Sequence, residues 1–372
     1  MNIVITGGAG FLGARLARTL LAQGPLALAG AAPQPISRIT LVDRAQPPAD
    51  LLADSRVATV VGDLNDLLRP GPSGTMAIAA DTQLVFHLAA AVSGECEADF
   101  DLGMRSNLDA TRALLEACRT LKTGPTFVFA SSLAVFGKAP GQSLPEVIED
   151  NTLPTPQSSY GIQKFIGEQL VADYARKGFV RGRNVRLMTV SVRPGKPNGA
   201  ASSFLSGMIR EPLAGQRAVC PVPADVAVAL SSPGRTIDGL IRAAQTTDAD
   251  WGPLTAMNLP ALRTSVREMA EALGRESAAK SGEAAVSLAR DELALQDARV
   301  LPQRLQLRDL PVLGRALPLD QVLEGAHRDA AARAGHRHRH RHRHGHRHGG
   351  DVAIPPAAVA GERSCGQLAD PR

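Results

Sequence analysis

The chain has 372 residues, of which 44% are hydrophobic, enough for one large domain or two intimate lobes around a buried core. Its formal net charge of +5 comes from residues 331–372, because positions 1–330 carry 33 basic and 33 acidic residues, which argues against a nucleic-acid partner. The apolar runs are too short to span a bilayer and no signal peptide precedes the first strand, so we expect a cytoplasmic protein with no membrane partner.

The first predicted element is a short apolar strand that runs into a glycine-rich turn and a helix. Gly7, Gly10 and Gly13 have the spacing G-x-x-G-x-x-G, and Phe11 and Leu12 begin the apolar face of the helix. Glycines let the backbone approach a pyrophosphate, and the free N–H groups of a helix N-terminus hold its charge. The pattern predicts a dinucleotide site, with a purely structural turn as the alternative.

The second predicted strand, residues 39–42, ends in Asp43. An acidic residue at this point hydrogen-bonds the adenosine ribose and disfavours a 2′-phosphate. Asp43 therefore predicts NAD rather than NADP as the cofactor.

Two further strands, residues 57–61 and 84–88, are followed by small or acidic residues. Ligands of open α/β sheets bind at the carboxyl ends of the strands. We therefore expect Asp63 and Leu64 to flank an adenine and Ala89 to let the cofactor approach the backbone. For Asp63 a helix N-cap is an equal alternative, because Asp is a preferred capping residue.

A serine pair stands at the end of the next strand. An amphipathic helical pattern over residues 100–121 leads to the strand at 126–130, which delivers Ser131 and Ser132 at its carboxyl end. This pair is either chemical or only a turn or helix cap.

A tyrosine and a lysine follow at helical spacing. Tyr160 and Lys164 are four residues apart, so they lie on one face of a helix that begins near Ser159. A lysine ammonium in that position stabilises the phenolate and lowers the pKa of the tyrosine. The spacing therefore predicts that Tyr160 acts as a general base.

These motifs occur in one order: T-G-G-A-G-F-L-G at residues 6–13, then G-D-L, H-L-A-A, S-S-L-A-V-F-G and Y-G-I-Q-K. Over residues 1 to about 274 the chain resembles the extended short-chain dehydrogenases/reductases of the NAD-dependent epimerase/dehydratase superfamily. The resemblance implies an α/β fold, a Rossmann-type doubly wound parallel sheet. It places an NAD-binding domain at 1–185 and a smaller, interleaved C-terminal substrate lobe at 186–274.

The resemblance also implies roles for single residues. In that superfamily the tyrosine of Y-x-x-x-K is the catalytic base, the lysine binds the nicotinamide ribose and tunes the tyrosine, and the strand-end serine holds the reacting hydroxyl. These roles fall on Tyr160, Lys164 and Ser132. A homodimer through the helices around Leu108 and Phe165 is implied as well. The implied cofactor contacts are Gly7, Gly10, Phe11, Leu12, Gly13, Asp43, Asp63, Leu64, Ala89, Asn107, Tyr160 and Lys164.

The segments F-H-L-A-A-A-V-S-G-E-C at 86–96 and S-V-R-P-G-K-P-N-G at 191–199 are most similar to members that use NAD to oxidise the C2 hydroxyl of a four-carbon sugar acid to a 2-oxo acid. A small anionic substrate needs charged or amide donors. The candidates are Arg193, Lys196 and Asn198, although Arg193 is equally suited to a structural salt bridge. Further candidates after the fourth strand are Ser93 and Glu95.

Two rival functions stay open at this point. A nucleotide-sugar epimerase or dehydratase shares the fold and the first step, but an epimerase keeps its NAD bound and releases no net NADH. The second rival is a non-catalytic NAD-sensing protein. The set of Ser132, Tyr160 and Lys164 argues against it, because such a protein needs no catalytic residues.

The likeness ends after residue 274. Residues 275–372 are rich in Ala, Arg and Leu, and residues 336–348 largely alternate His with Arg. Such a composition forms no core, so we expect a poorly ordered tail rather than a metal site, and a reading-frame change in GC-rich DNA is one origin for it. The four cysteines lie far apart without a C-x-x-C pair, so we predict neither a disulfide framework nor zinc.

Overall fold

The computed structural model describes residues 1–69, 77–145, 147–195 and 199–275, and the backbone of 276–281 and 288–290. The chain divides into two compact units, Met1–Arg328 and Asp329–Arg372, and all described residues belong to the first. The predicted poorly ordered tail lies outside the described residues except at its start. Lys196 and Asn198 lie outside them as well.

Strands and helices alternate along the described chain, as the sequence predicts. The strands are β1 (Asn2–Thr6), β2 (Arg38–Asp43), β3 (Val57–Val61), β4 (Leu84–His87), β5 (Thr126–Ser132), β6 (Arg181–Leu187), β7 (Thr189–Val190), β8 (Ala218–Cys220), β9 (Ala227–Ser231), β10 (Met257–Asn258), β11 (Leu262–Ser265) and β12 (Leu288–Arg290). The helices are α1 (Phe11–Gln23), α2 (Ala49–Leu52), α3 (Leu64–Leu67), α4 (Ser93–Ala98), α5 (Phe100–Gly103), α6 (Ala110–Arg119), α7 (Ser159–Arg176), α8 (Ser203–Leu213), α9 (Pro233–Gln245), α10 (Asp248–Trp251) and α11 (Val266–Ser281).

The central sheet has seven strands in the order β10-β6-β5-β4-β1-β2-β3, and every neighbouring pair in it is parallel. Strand order reverses between β1 and β4, because the chain adds β2 and β3 on one side of β1 and then crosses to the other side. The carboxyl ends of β1 and β4 therefore open a crevice at this switch point, where ligands of such sheets bind. The predicted doubly wound parallel sheet is confirmed.

Helices cover both faces of this sheet. Ile3 and Ile5 of β1 pack into one apolar cluster with α1 and α9, whereas Val4 packs into a second cluster with α6 and α7. This alternation follows from the two-residue period of a strand. Burial on both faces explains why the strand reads as a continuous apolar run.

The later part of the chain contributes to two structures. β10 pairs with β6 and so completes the central sheet, while β7, β9 and β11 form a small mixed sheet. A third apolar cluster joins this small sheet to α8 and α11. No helix in the described ranges is long and apolar enough to cross a bilayer.

The helical segment at 100–121 differs from the regular helix that the sequence predicts. A π-helical stretch, Met104–Asp109, separates α5 from α6. A π turn inserts a residue into the helix and changes the direction of the side chains around it. Asn107 lies in this stretch and is 2% exposed.

Candidate active site

A cleft of about 520 Å³ runs across the carboxyl ends of the central strands. It brings together residues that the sequence distributes over nearly two hundred positions. The predicted site residues that line it are Gly7, Gly10, Phe11, Leu12, Gly13, Asp43, Asp63, Leu64, Ala89, Ser132, Tyr160, Lys164 and Arg193.

The glycine turn between β1 and α1 has no room for side chains. Gly7 has φ +70, and a Cβ atom there would lie 2.9 Å from the backbone nitrogen of Ala89. A Cβ atom on Gly13 would lie 2.1 Å from the carbonyl oxygen of Gly7. The N-cap Gly10 makes no side-chain cap bond, and the first turn of α1 has no acidic residue. The helix therefore presents free N–H groups without a competing charge, which fits the pyrophosphate of NAD.

Asp43 is fixed at the carboxyl end of β2 by two backbone donors. Its Oδ2 accepts a hydrogen bond from Ala9 N at 3.0 Å, and its Oδ1 accepts one from Ala45 N at 3.1 Å. The carboxylate also lines the cleft, where it fits a ribose diol and repels a 2′-phosphate.

Arg44, which the sequence did not suggest, lies at the end of the cleft where the adenine is predicted to bind. Its Nη2 donates to Ser106 Oγ at 3.2 Å and lies 3.5 Å from Asp63 Oδ2. Asp63 also caps α3 by accepting from Asn65 N at 3.0 Å, so the capping alternative holds beside its position in the cleft.

Asn107 does not line the cleft but holds the loop that does. Its Oδ1 accepts from Ala91 N at 2.8 Å, and its Nδ2 donates to Ala91 O at 3.1 Å and to Gln163 Oε1 at 2.8 Å. Asn107 thereby connects the loop after β4 to α7. Its predicted contact with the cofactor stays a prediction.

The end of β5 and one face of α7 carry the predicted catalytic residues. α7 begins at Ser159, and the Ser158 side chain caps it by accepting from Gly161 N at 3.1 Å. Tyr160 has a side-chain hydrogen bond with Ser132. Lys164 Nζ donates to Ala130 O at 2.9 Å and lies 5.8 Å from the centre of the Tyr160 ring.

Burial dominates the ionisation of both α7 residues. It raises the pKa of Tyr160, while the hydrogen bond with Ser132 and the charge of Arg193 lower it. Burial also lowers the pKa of Lys164 to about 8. The prediction that Lys164 lowers the pKa of Tyr160 is wrong, because burial raises that pKa overall and Lys164 is not among the groups that oppose the rise. The side chains that counter the cost of a buried phenolate are Ser132 and Arg193.

Arg193 stands in the cleft without an acidic partner among the described residues. Its Nε donates to Val190 O at 3.2 Å, and its backbone N donates to Ser206 Oγ at 3.0 Å. No carboxylate of the described chain forms an ion pair with its guanidinium, so the salt-bridge alternative finds no support there. A guanidinium carries five N–H donors, and among the described residues only Val190 O accepts from that of Arg193.

The two further candidates after the fourth strand are engaged locally. Glu95 lines the cleft but accepts from Val92 N at 2.9 Å, which caps α4. Ser93 Oγ accepts from Ala201 N at 3.1 Å, so it ties the loop before α8 to the start of α4.

The crevice at the switch point, its glycine turn and the carboxylate at the end of β2 define an NAD-dependent enzyme of the Rossmann type. Residues 3–228 match the NAD dependent epimerase/dehydratase family, and the chain belongs to that family. It is a dehydrogenase that acts on a CH–OH group. The family, the cofactor and this class of enzyme, each predicted from the sequence, are thereby confirmed.

Two curated relatives are named D-erythronate dehydrogenase. The protein from Cupriavidus necator is 53% identical over 277 residues, which are 74% of this chain and 82% of the relative. The protein from Haemophilus influenzae is 45% identical over 270 residues, 72% of this chain and 80% of the relative. A solved structure described as the nucleoside-diphosphate-sugar epimerase from Agrobacterium tumefaciens has a TM-score of 0.74 and 36% identity, covering 87% of this chain and 92% of that one.

Proposed function

We propose that this enzyme oxidises the C2 hydroxyl of a four-carbon sugar acid, D-erythronate, to the 2-oxo acid with reduction of NAD. One observation carries the proposal: Arg193, a cation with no acidic partner in the described chain, lies beside the candidate base Tyr160 in the cleft that holds the glycine turn. The names of the two relatives, D-erythronate dehydrogenase, support the same substrate.

Tyr160 removes the proton of the C2 hydroxyl. Proton transfer requires hydrogen-bond contact between base and substrate and a base that is stable as an anion near neutral pH. Burial raises the pKa of Tyr160, and Ser132 and Arg193 are the side chains that oppose this rise and so favour the anion. Ser132 also holds the reacting hydroxyl, because it lines the cleft next to the tyrosine.

Lys164 fixes the geometry of this pair and binds the nicotinamide ribose. Its bond to Ala130 O ties α7 to the strand that ends in Ser132. The residues that would hold NAD are those of the glycine turn, Asp43 and Lys164, and the bound cofactor would supply the acceptor for the C2 hydride.

Arg193 binds the substrate carboxylate. A guanidinium forms two parallel charge-assisted hydrogen bonds with a carboxylate, and these are shorter and stronger than bonds between neutral groups. The substrate carboxylate is attached to C2 itself, so a cation beside Tyr160 orients the carbon that is oxidised. This arrangement selects 2-hydroxy acids over neutral sugars.

A substrate panel with net NADH formation as the readout tests the proposal. We expect D-erythronate to reduce NAD stoichiometrically, its 2-epimer D-threonate to react poorly, and the neutral polyol erythritol to give no NADH. Arg193→Gln is expected to raise KM for the acid, while Arg242→Gln, an exposed arginine paired with Asp238, serves as the matched control.

Turnover of nucleotide sugars without accumulation of NADH, together with no reaction of any sugar acid, would instead identify an epimerase. The Agrobacterium structure is the observation that keeps this second candidate in the panel.

A further inference from the structure

A buried ion pair lies beneath the end of β5. The side chains of Glu168 and Arg186 are 0% and 3% exposed. Arg186 donates from Nε to Glu168 Oε1 at 2.9 Å and from Nη2 to Oε2 at 2.8 Å. Replacing a buried ion pair by apolar residues is often neutral or stabilising. Stability alone therefore does not account for this pair.

The pair is joined to the strand that carries Ser132. Ser131 Oγ donates to Glu168 Oε1 at 2.5 Å. The neighbouring Ala130 O accepts from Lys164, and the next residue, Ser132, bonds to Tyr160. Three consecutive positions of β5 thus contact three α7 residues, each four apart and hence on one face of the helix.

We propose that Glu168, held by Arg186, is a positioning residue for Tyr160 and Lys164. Through Ser131 it fixes the register of β5 against α7, and its charge, balanced by Arg186, sets the field at Lys164, whose ammonium lies 5.8 Å from the centre of the Tyr160 ring. It acts through its neighbours and contacts neither substrate nor cofactor. The inference rests on the proposed function, in which Tyr160 is the base.

The balance of the two charges matters because Lys164 and Tyr160 are buried. The carboxylate of Glu168 raises the pKa of Lys164, which burial lowers to about 8. Removal of the carboxylate alone leaves the guanidinium of Arg186 as an uncompensated cation, which favours a phenolate and disfavours an ammonium nearby. Removal of both charges restores neutrality.

Other titratable groups face the same two side chains from the surrounding elements, and the experiment leaves them unchanged. Lys164 interacts electrostatically with His87 of β4 and Cys96 of α4. Tyr160 interacts with Cys96 and with Arg193 from the loop after β7. Around the ion pair, the charge of Arg186 also acts on Asp150.

The test compares Glu168→Gln with the double variant Glu168→Gln/Arg186→Gln. We expect Glu168→Gln to lower kcat by about tenfold or more and to move the acidic limb of the pH profile of kcat down by about half a pH unit or more. The double variant returns the limb toward its original pH. KM for NAD changes less than about twofold in both, because the glycine turn belongs to other elements.

Two further variants separate charge from packing. Asp173→Asn removes one carboxylate from the same helix at an exposed position paired with Arg176, and we expect neither kcat nor the limb to change. Ser131→Ala removes the bond to Glu168 without changing a charge, so it lowers kcat and leaves the limb in place.

A second readout needs no substrate. The chain has two tyrosines, so in a Tyr174→Phe background the phenolate absorbance of the NAD-loaded protein reports Tyr160 alone. Tyr160 is expected to ionise at lower pH in Glu168→Gln than in the wild type. In the double variant its titration is expected to return toward the wild-type pH.

If the limb and the phenolate titration stay fixed while activity falls in both variants, the pair is only structural and the inference is overturned. Lack of activity in the wild type contradicts the proposed function instead, and the phenolate titration still decides this inference. Should Glu168→Gln fail to fold, Ser131→Ala and the double variant decide it together. A lowered kcat in Ser131→Ala, with an active double variant whose limb is unshifted, supports the proposal. An unchanged kcat in Ser131→Ala, or inactivity of the folded double variant, contradicts it.

Discussion

A Cβ atom on Gly13 would stand 2.1 Å from the carbonyl oxygen of Gly7. The first turn of α1 is therefore packed directly on the turn that leaves β1, with backbone against backbone. A methyl group at residue 13 must displace this turn, since no flexible side chain is present that can move aside.

Gly13→Ala is expected to weaken NAD binding by more than about tenfold. The added methyl group displaces the glycine turn, and its backbone N–H groups then no longer face the pyrophosphate. Titration of the protein with NAD measures the affinity. Gly274→Ala is the control, since a Cβ atom there meets nothing within 4 Å. Unchanged affinity in Gly13→Ala contradicts the close packing of the turn.

Asp43→Ser is expected to shift the cofactor preference from NAD toward NADP. The substitution removes the carboxylate that repels a 2′-phosphate and leaves the neighbouring Arg44, which lies within ion-pair distance of Asp63 at the same end of the cleft. The ratio of kcat/KM for the two cofactors measures the change. In Asp43→Ser/Arg44→Ala the gain with NADP should disappear, and its persistence would show that Arg44 takes no part.

Tyr160→Phe is expected to lower kcat by a factor of about 10² to 10⁴ while NAD still binds. The variant retains the glycine turn and Asp43 and loses only the proton acceptor. Steady-state kinetics and an NAD titration measure the two effects separately. Full activity of the variant rules out Tyr160 as the base.

Arg193→Gln is expected to raise KM for the sugar acid by roughly 10- to 100-fold, which corresponds to the loss of a charge-assisted pair worth about 1.5–3 kcal/mol. Gln keeps hydrogen-bonding capacity but carries no charge. An equal KM in Arg193→Gln and in the Arg242→Gln control places the carboxylate elsewhere.

His87 makes the fold sensitive to acid. Its ring is fully buried between the hydroxyls of Thr6 and Thr111, and burial lowers its pKa to about 3. The unfolded chain, with an ordinary histidine pKa, binds the proton at higher pH than the folded chain. Neutral His87 therefore makes its full contribution to the free energy of unfolding above about pH 6.5. This contribution falls as the pH approaches 3, by up to about 1.4 kcal/mol per pH unit.

Urea denaturation at pH 7.5 and at pH 5 measures this slope. In His87→Gln we expect the free energy of unfolding to change less between the two values than in the wild type. The same slope in both proteins assigns the acid sensitivity to other groups.

The sequence predicted the cleft well because its parts are local patterns at strand ends. Gly7, Asp43, Ala89 and Ser132 each follow a recognisable strand, and the carboxyl ends of parallel strands meet at one edge of the sheet. Their convergence thus follows once the sheet is known to be parallel. The pairing of Tyr160 with Lys164 followed from the helical period alone.

Contacts between distant elements were not predictable in this way. Glu168 lies on the same face of α7 as Tyr160 and Lys164, but its partner Arg186 comes from β6, and no local pattern specifies that contact. The π turn that carries Asn107 leaves no mark on the hydrophobic period of residues 100–121. The direction of Arg193 likewise depends on the course of the chain after β7, which the pattern does not specify.

The central claim, transfer of the C2 hydride of a sugar acid in this cleft, is tested most directly with D-erythronate that carries deuterium at C2. The account predicts that the reduced cofactor formed by the wild-type enzyme contains one deuterium, seen by mass spectrometry, and that Tyr160→Phe forms little of it. Reduced cofactor without deuterium, or no reduction of NAD by D-erythronate, would contradict it.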